Sequence, residues 1–452
     1  MNHEPMELLA RLRRHATDSP DRLALREIAT GRAMTWRELD AAVHEFSRRL
    51  NRSAVVMLKY PNRLDFHVAF LASLAAGVTV FPVPHDIADA EFRNVSAKSA
   101  ADTVINSDLS IRSLADSSRE MVPALLLQSS GTTGLPKIAR RDARSLDSVS
   151  ANMVEAIGIG LSDHVLACVP LCHSYGLEHG LLAPIFAGAA VHLAQGFDLA
   201  TIRRELVESS ITVFPAVPSI YEMLGNLPDE SSSFPSLRMP YSAGGPLPAC
   251  VFAKIRDSLG ITVGQLYGAT EIGSVTFAHP DDPHFDPAAV GKPMRRVEMR
   301  IDANGQLLVR AASMMSGYIG DNSPLDADGF FQTGDLAQID EHGNLSITGR
   351  LKLLIDVGGL KVNPLEVEQT IAQHPAVGAC VVVPMRLSET VFRLKAIVTP
   401  ADESHPPTSE ELRLFVRERL STHKVPRVFE VRATLPRSAT GKILRHLLVE
   451  SA

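Results

Sequence analysis

Hydroxyls, bare backbone amides and a lysine crowd into one short run: Ser129, Ser130, Gly131, Thr132, Thr133, Gly134 and Lys137. Glycines let backbone N–H groups approach an anion closely, and Ser/Thr hydroxyls add donors. A phosphate is the ligand that this chemistry suits. The run departs from a Walker A loop. Only two residues separate Gly131 from Gly134, Pro136 precedes the lysine, and Ile138 stands where a Ser or Thr would hold magnesium. An apolar strand at Leu125–Leu127 leads into it, and PKIARRDA after it reads as strand or turn, with a helix from about Ser145. A solvated Ser/Gly turn is the plain alternative for a cluster of this kind.

Other candidates stand further along. Glu271 follows YGAT, Asp335 sits in TGDL, Arg350 ends ITGR, and Lys442 opens GKILRHLLVE. That last stretch reads as a helix beginning near Gly441. A lysine there opposes the positive helix end and costs up to about 1 kcal/mol, which function would have to offset. Cys168, Cys172 and His173 superficially resemble metal ligands, but no second Cys/His pair at finger spacing follows, so they read as core.

Alternating strands and helices must position these residues. TWRELDAAVHEFSRRL is amphipathic, with Leu39, Val43, Phe46 and Leu50 at helical spacing. AVVML and VTVFPV read as buried strands, and LATIRRELVESSITVFPAVP and PACVFAKIRDSLGITVGQLYG each read as helix then strand. The pattern predicts an α/β fold with mainly parallel sheets. From about 291 to 348, short runs between turn signals predict an antiparallel β-rich segment. Beyond Arg350–Lys352 the sequence predicts a small α+β domain, including a helix opened by the T-x-x-E capping box of Thr408. The expected domains are therefore 1–350 and 351–452.

Composition fits this reading. The 452 residues are 45% hydrophobic and 21% charged, with a formal net charge of −6 and 4 cysteines. Nothing points to nucleic acid. No signal-peptide core or membrane span is evident, and the sparse cysteines form no disulfide framework, so a reduced cytoplasmic protein is expected.

The run SSGTTGLPK resembles the signature loop of the adenylate-forming superfamily, which includes acyl-CoA synthetases, nonribosomal adenylation domains and beetle luciferases. MTWRELDAAV, LASLAAGVTVFPVP, PLCHSYGL, SAGGPL, YGATEIG, FQTGDL, GRLKLLIDVGGLKVNPLEVE and LPRSATGKILR are similar to its further motifs, in order along nearly the whole chain. The resemblance implies a large N-terminal domain of stacked α/β subdomains with a β-rich subdomain, and a small mobile C-terminal domain hinged at Lys352. It implies an ATP-dependent acid–thiol ligase. A carboxylate attacks the α-phosphate of ATP, pyrophosphate leaves, and a thiol then takes the acyl group.

The same resemblance assigns roles. Thr132, Thr133 and Lys137 would hold the outer phosphates, Thr270 the α-phosphate and Glu271 Mg²⁺. Tyr267 would stack on adenine beside Gly244, Gly245 and Gly268, and Asp335 and Arg350 would hold the ribose. Lys442 would bring the carboxylate to the α-phosphate. Gly358, Gly359 and Lys361 would admit the pantetheine arm. The acyl pocket would comprise His173, Ser174, Ala216, Val217, Ser242 and Ile272. HSYG offers no carboxylate before Glu178, which argues against an amino-acid substrate.

The expected substrate is an aryl or medium aliphatic acid and the expected acceptor CoA, with the phosphopantetheine of a carrier protein as the alternative. A luciferase-like oxygenase and a catalytically dead binding protein are the rivals from other classes. The signature loop stands unusually early, so HDIADAEFRNVSAKSAADTVINSDL reads as a compressed connection and a family subdomain as trimmed.

Overall fold

The computed structural model describes residues 6–50, 54–114, 124–129, 137–196, 198–226, 234–320, 325–357, 360–386, 392–420, 422–438 and 441–449. Ser130, Gly131, Thr132, Thr133 and Gly134 of the signature loop lie outside these residues, as do Gly358 and Gly359.

Two large sheets organise the chain. In the nine-stranded sheet the order is Lys292–Pro293, Gly273–Ala278, Gly264–Ala269, Met239–Ser242, Val213–Ala216, His164–Ala167, Ala190–Leu193, Leu23–Glu27 and Ala33–Thr35. Its interior is parallel and its edges antiparallel. The seven-stranded sheet runs Gly317–Tyr318, Lys137–Asp142, Ala124–Ser129, Thr79–Val83, Val55–Lys59, Thr103–Asn106 and Ile111–Ser113. Parallel strands covered on both faces need apolar runs rather than alternation, and VVMLK and TVFPV supply them.

The helix Leu64–Ala75 packs against strands of both sheets. Its buried residues go all round the axis, as suits a helix with no solvent face. The strands around 297–350 form a separate antiparallel sheet of four: Val297–Ile301, Gln306–Ala311, Phe331–Ile339 and Leu345–Arg350. After the short turn Leu351–Leu353, a three-stranded sheet (Val377–Arg386, Phe392–Pro400, Val428–Val431) packs with the helices Pro364–Ile371 and Ser409–Arg417. Its cores draw only on residues from Ile355 onward. Thr35 and Thr408 each close a capping box, with Glu38 and Glu411.

The structure differs from the sequence expectation in three places. The segment from His85 is more than a compressed connection: it contains the helix Asp89–Ser99 and the strand Thr103–Asn106, which pairs parallel with Val55–Lys59. The helix after the signature strand begins at Ala143 rather than Ser145, because the Asp142 side chain caps the Ser145 N–H at 2.8 Å. GKILRHLLVE forms no α-helix. Arg437 and Ile443 bridge across a tight turn, and a single 3₁₀ turn follows at Arg445–Leu447. No helix dipole therefore opposes the Lys442 charge; crowding by protein atoms and the Arg350 charge oppose it instead.

Candidate active site

Asp335 and Arg350 lie directly opposite each other on neighbouring antiparallel strands. Opposite charges at such a pair attract. Arg350 Nε donates to Asp335 Oδ1 at 2.5 Å, and the Tyr267 hydroxyl donates to Asp335 Oδ2 at 2.6 Å. A carboxylate has about four acceptor sites, so two remain for a diol. Burial, and then the Asp335 charge, push the Tyr267 hydroxyl well above its usual pKa, so it stays a donor. Burial opposes the charge on Arg350, but Asp335 more than compensates and its pKa is raised.

Gly244 and Gly245 are exposed just past the strand Met239–Ser242, which pairs with the strand that carries Tyr267. Gly244 adopts φ +87°, a conformation that favours glycine. Its backbone forms an open shelf on which a flat base could lie. Gly268 is exposed as well, and a Cβ there would collide with the Gly273 backbone.

Glu271 follows the strand Gly264–Ala269. One of its oxygens accepts from the Tyr318 hydroxyl at 2.8 Å, and the Lys137 ammonium lies 4.7 Å from the centre of the Tyr318 ring. Tyr318 thus bridges Glu271 and the end of the phosphate loop. Sequence reasoning missed it; the only signal is an aromatic in SGYIG, amid turns.

Lys442 reaches the same cleft. Its backbone is held in the turn by Ser438, whose Oγ accepts from the Lys442 N–H at 3.2 Å. Loss of hydration among protein atoms lowers its pKa first, then the Arg350 charge; Asp335 and Glu271 pull it back up. The chain remains reachable from solvent, as an open cleft requires. His173 feels Lys442 in turn: burial, then that ammonium, lower its pKa.

The turn carrying Lys442 docks on the helix Pro218–Gly225. Gly441 has φ +76° and lies against Ser219 and Val217 so closely that a Cβ would collide with the Ser219 hydroxyl. Arg437 pairs with Glu222 at 3.6 Å and also donates to Gly441 O at 3.1 Å.

The acid side is built differently. Ala216, Val217, Ser242 and Ile272 are all buried, and Ala216 pairs with Ser242 across adjacent strands. Ser174 starts a short helix whose continuation, Glu178–Leu182, is a π-turn. Such turns are rare and often mark functional positions. Tyr175 donates to Ala216 O at 3.1 Å, with its ring 4.5 Å from that of His179. His179 contacts the Tyr241 hydroxyl at 2.6 Å and the Ser274 hydroxyl at 3.1 Å. Burial pushes its pKa to about 3, so the ring is neutral.

Behind Ser174, Arg141 and Glu178 form a fully buried ion pair. Burial pushes the Glu178 carboxyl up, but the Arg141 charge and the hydrogen bonds from Ser274 and Arg141 outweigh it and leave it lowered. Arg141, Glu178, His179 and Tyr175 are absent from the sequence-derived list, because segments far apart in sequence create their chemistry.

Not every expected residue is tested by this geometry. The backbone of Lys352 falls in the turn Leu351–Leu353 and that of Lys361 in the strand Leu360–Val362. Cys168 is buried and Cys172 partly so, with thiols pushed up to about 12 by burial. Among the described residues no group of three or more His, Cys, Asp or Glu could hold a metal ion. None of their helices is long and apolar enough to cross a membrane.

The family model described as "AMP-binding enzyme" matches residues 12–122 and 115–319. The model of the "AMP-binding enzyme C-terminal domain" matches 366–442. The chain is 28% identical over 495 residues to an oxalate–CoA ligase of Arabidopsis thaliana, covering 95% of this chain and 96% of that one. That alignment is longer than this chain's 452 residues, so the relative carries insertions. It is 32% identical over 369 residues to a malonate–CoA ligase of the same plant, covering 73% and 60% of the two chains. An o-succinylbenzoate coenzyme A synthetase from Bacillus subtilis, solved with ATP and magnesium ion, superposes with a TM-score of 0.83 at 25% identity, covering 98% and 99%. The chain belongs to the AMP-binding enzyme family and is an ATP-dependent, AMP-forming ligase.

Proposed function

We propose that this AMP-binding enzyme activates an aryl or medium aliphatic carboxylic acid as an acyl-adenylate and then passes the acyl group to CoA. One observation carries the proposal: the turn that bears Lys442 packs through Gly441 on Ser219 and Val217 at the acid wall, where the charges of Arg350, Asp335 and Glu271 act on its ammonium. The chemical difficulty is that one anion must attack another. A positioned ammonium reduces that repulsion as negative charge grows on the α-phosphate.

Around it, Asp335 and Tyr267 hold the ribose, with adenine on the Gly244–Gly245 shelf. Arg350 and Thr270 face the phosphate, and Lys137 closes the loop over the outer phosphates. Glu271 suits Mg²⁺ of the kind held mainly by phosphates and water, because Tyr318 takes one of its oxygens and, among the described residues, no cluster of three His, Cys, Asp or Glu surrounds it. When bound, that ion would supply Lewis-acid neutralisation of phosphate charge.

His173, Ser174, Ala216, Val217, Ser242 and Ile272 border the acyl group. Glu178 gives no free carboxylate to a substrate ammonium, since Arg141, Ser174 and Ser274 already occupy its oxygens. This supports an acid without an α-amino group. For the second step, rotation about Lys352 would withdraw Lys442 and bring residues 356–362 to the cleft for the thiol.

Pyrophosphate release measured across a panel of acids, oxalate and malonate included, with either CoA or a holo-carrier protein, tests the whole scheme. Acyl-CoA formation with an aryl or medium aliphatic acid is expected. Thioester formed on the carrier alone would overturn the acceptor, and release with short diacids alone would overturn the acid class.

A further inference from the structure

A buried carboxylate behind the acid wall holds three separate segments of the site at once. Glu178 Oε1 accepts from Arg141 Nη1 and from the Ser174 hydroxyl at 2.9 Å. Glu178 Oε2 accepts from the Ser274 N–H at 3.0 Å and its hydroxyl at 2.7 Å. Each partner neighbours a group that faces the reaction. Arg141 lies on the strand Lys137–Asp142, whose first residue ends the phosphate loop. Ser174 follows His173 in sequence, and Ser274 comes three residues after Glu271.

Stability alone does not account for this arrangement. Removing two charges from water costs several kcal/mol per ion, and apolar pairs of the same volume often serve as well or better. Arg141 Nη2 also has no hydrogen-bond partner among the described residues. A group buried at that cost calls for a reason beyond folding. We infer that Glu178, paired with Arg141, is a positioning residue for acyl-adenylate formation, fixing Lys137, His173 and Glu271 relative to one another. The inference rests on the ligase function proposed above. Glu178 touches no substrate. It acts through its neighbours, and displacement of a reacting group by about 1 Å can cost a hundredfold in rate.

Two variants separate positioning from folding. The Arg141→Met/Glu178→Met double variant replaces the ion pair with apolar chains, and Ser274→Ala removes one hydrogen bond while leaving the charges. For each, three quantities are measured: thermal unfolding, ATP–pyrophosphate exchange with kcat and KM resolved, and thioester formation from supplied acyl-adenylate. The double variant is expected to unfold near the wild-type temperature with exchange kcat down about a hundredfold. Ser274→Ala is expected to lose about tenfold. In both, the thioester step stays within about twofold, because the groups being positioned act in adenylation. Wild-type exchange in either folded variant overturns the inference, and so does a matching loss in both half-reactions. If the double variant does not fold, Ser274→Ala decides by the same criteria. Failure of the wild-type enzyme to exchange with any acid would instead defeat the ligase function, and this inference with it.

Discussion

The nucleotide wall of the cleft takes Tyr267, Asp335 and Arg350 from three strands and joins them with short, direct hydrogen bonds, and Gly244 and Gly245 add an exposed glycine shelf. The acid wall instead hides its polar groups: Arg141, Glu178 and His179 are buried, and they bond to one another and to Ser274 across 37 to 96 residues of sequence. The first wall suits a ligand of fixed shape, with a flat base, a diol and phosphates, each needing one local feature. The second must shape a cavity, so its form depends on how distant segments pack. Changes on the nucleotide wall and on the tail that completes it should therefore remove chemistry, whereas changes behind the acid wall should misplace it.

The largest expected effect is at Lys442. Lys442→Ala should lower acyl-adenylate formation by about a hundred- to a thousandfold, the scale for losing one positioned electrostatic donor. Thioester formation from supplied acyl-adenylate should persist. An equal loss in both steps would break the distinction between removing and misplacing. The pH profile sharpens the same point. Burial and Arg350 lower the Lys442 pKa, so the charged form disappears at lower pH than for an ordinary lysine. Adenylation should accordingly decline on the alkaline side before a free lysine would deprotonate. Lys442→Arg should remove that limb, because a guanidinium stays charged.

This division also sets what the sequence could reveal. Asp335, Tyr267, Glu271 and Lys442 lie in short motifs whose residue types announce their chemistry, and the structure brings them to one cleft. Capping at Thr408 was legible because every determinant lies within four residues. The segment after Gly441 was misread as a helix because KILRHLL has helical spacing; the Arg437–Ile443 bridge and docking on Ser219 override that local preference. The Arg141–Glu178 pair was invisible for a related reason. PKIARRDA reads as strand or turn, and nothing within it shows that the fold turns Arg141 inward.

Gly441 should come next in size. Alanine there must adopt φ +76° and also meet the Ser219 hydroxyl. The left-handed conformation alone costs roughly 1–2 kcal/mol. Gly441→Ala should therefore reduce adenylation by about tenfold or more, without altering ATP binding to the large domain. Pairing it with Ser219→Gly should recover part of the loss. No recovery would mean that backbone strain, rather than contact, dominates.

The smallest expected effect concerns Glu222, and it asks whether docking of the tail is itself adjustable. Its pairing with Arg437 is long, at 3.6 Å, and both side chains are about one third exposed. Pairs of this kind contribute about 0.2–1 kcal/mol, so Glu222→Gln should slow adenylation by at most about fivefold. The effect should shrink as salt is added, because screening already weakens the wild-type contact. The thioester step should hold steady or rise slightly, since a tail released from Pro218–Gly225 is freer to take the other orientation. If Glu222→Gln instead slowed both steps alike and salt made no difference, Glu222 would belong to the packing of its own helix. The tail would then be held by the Gly441 contact alone.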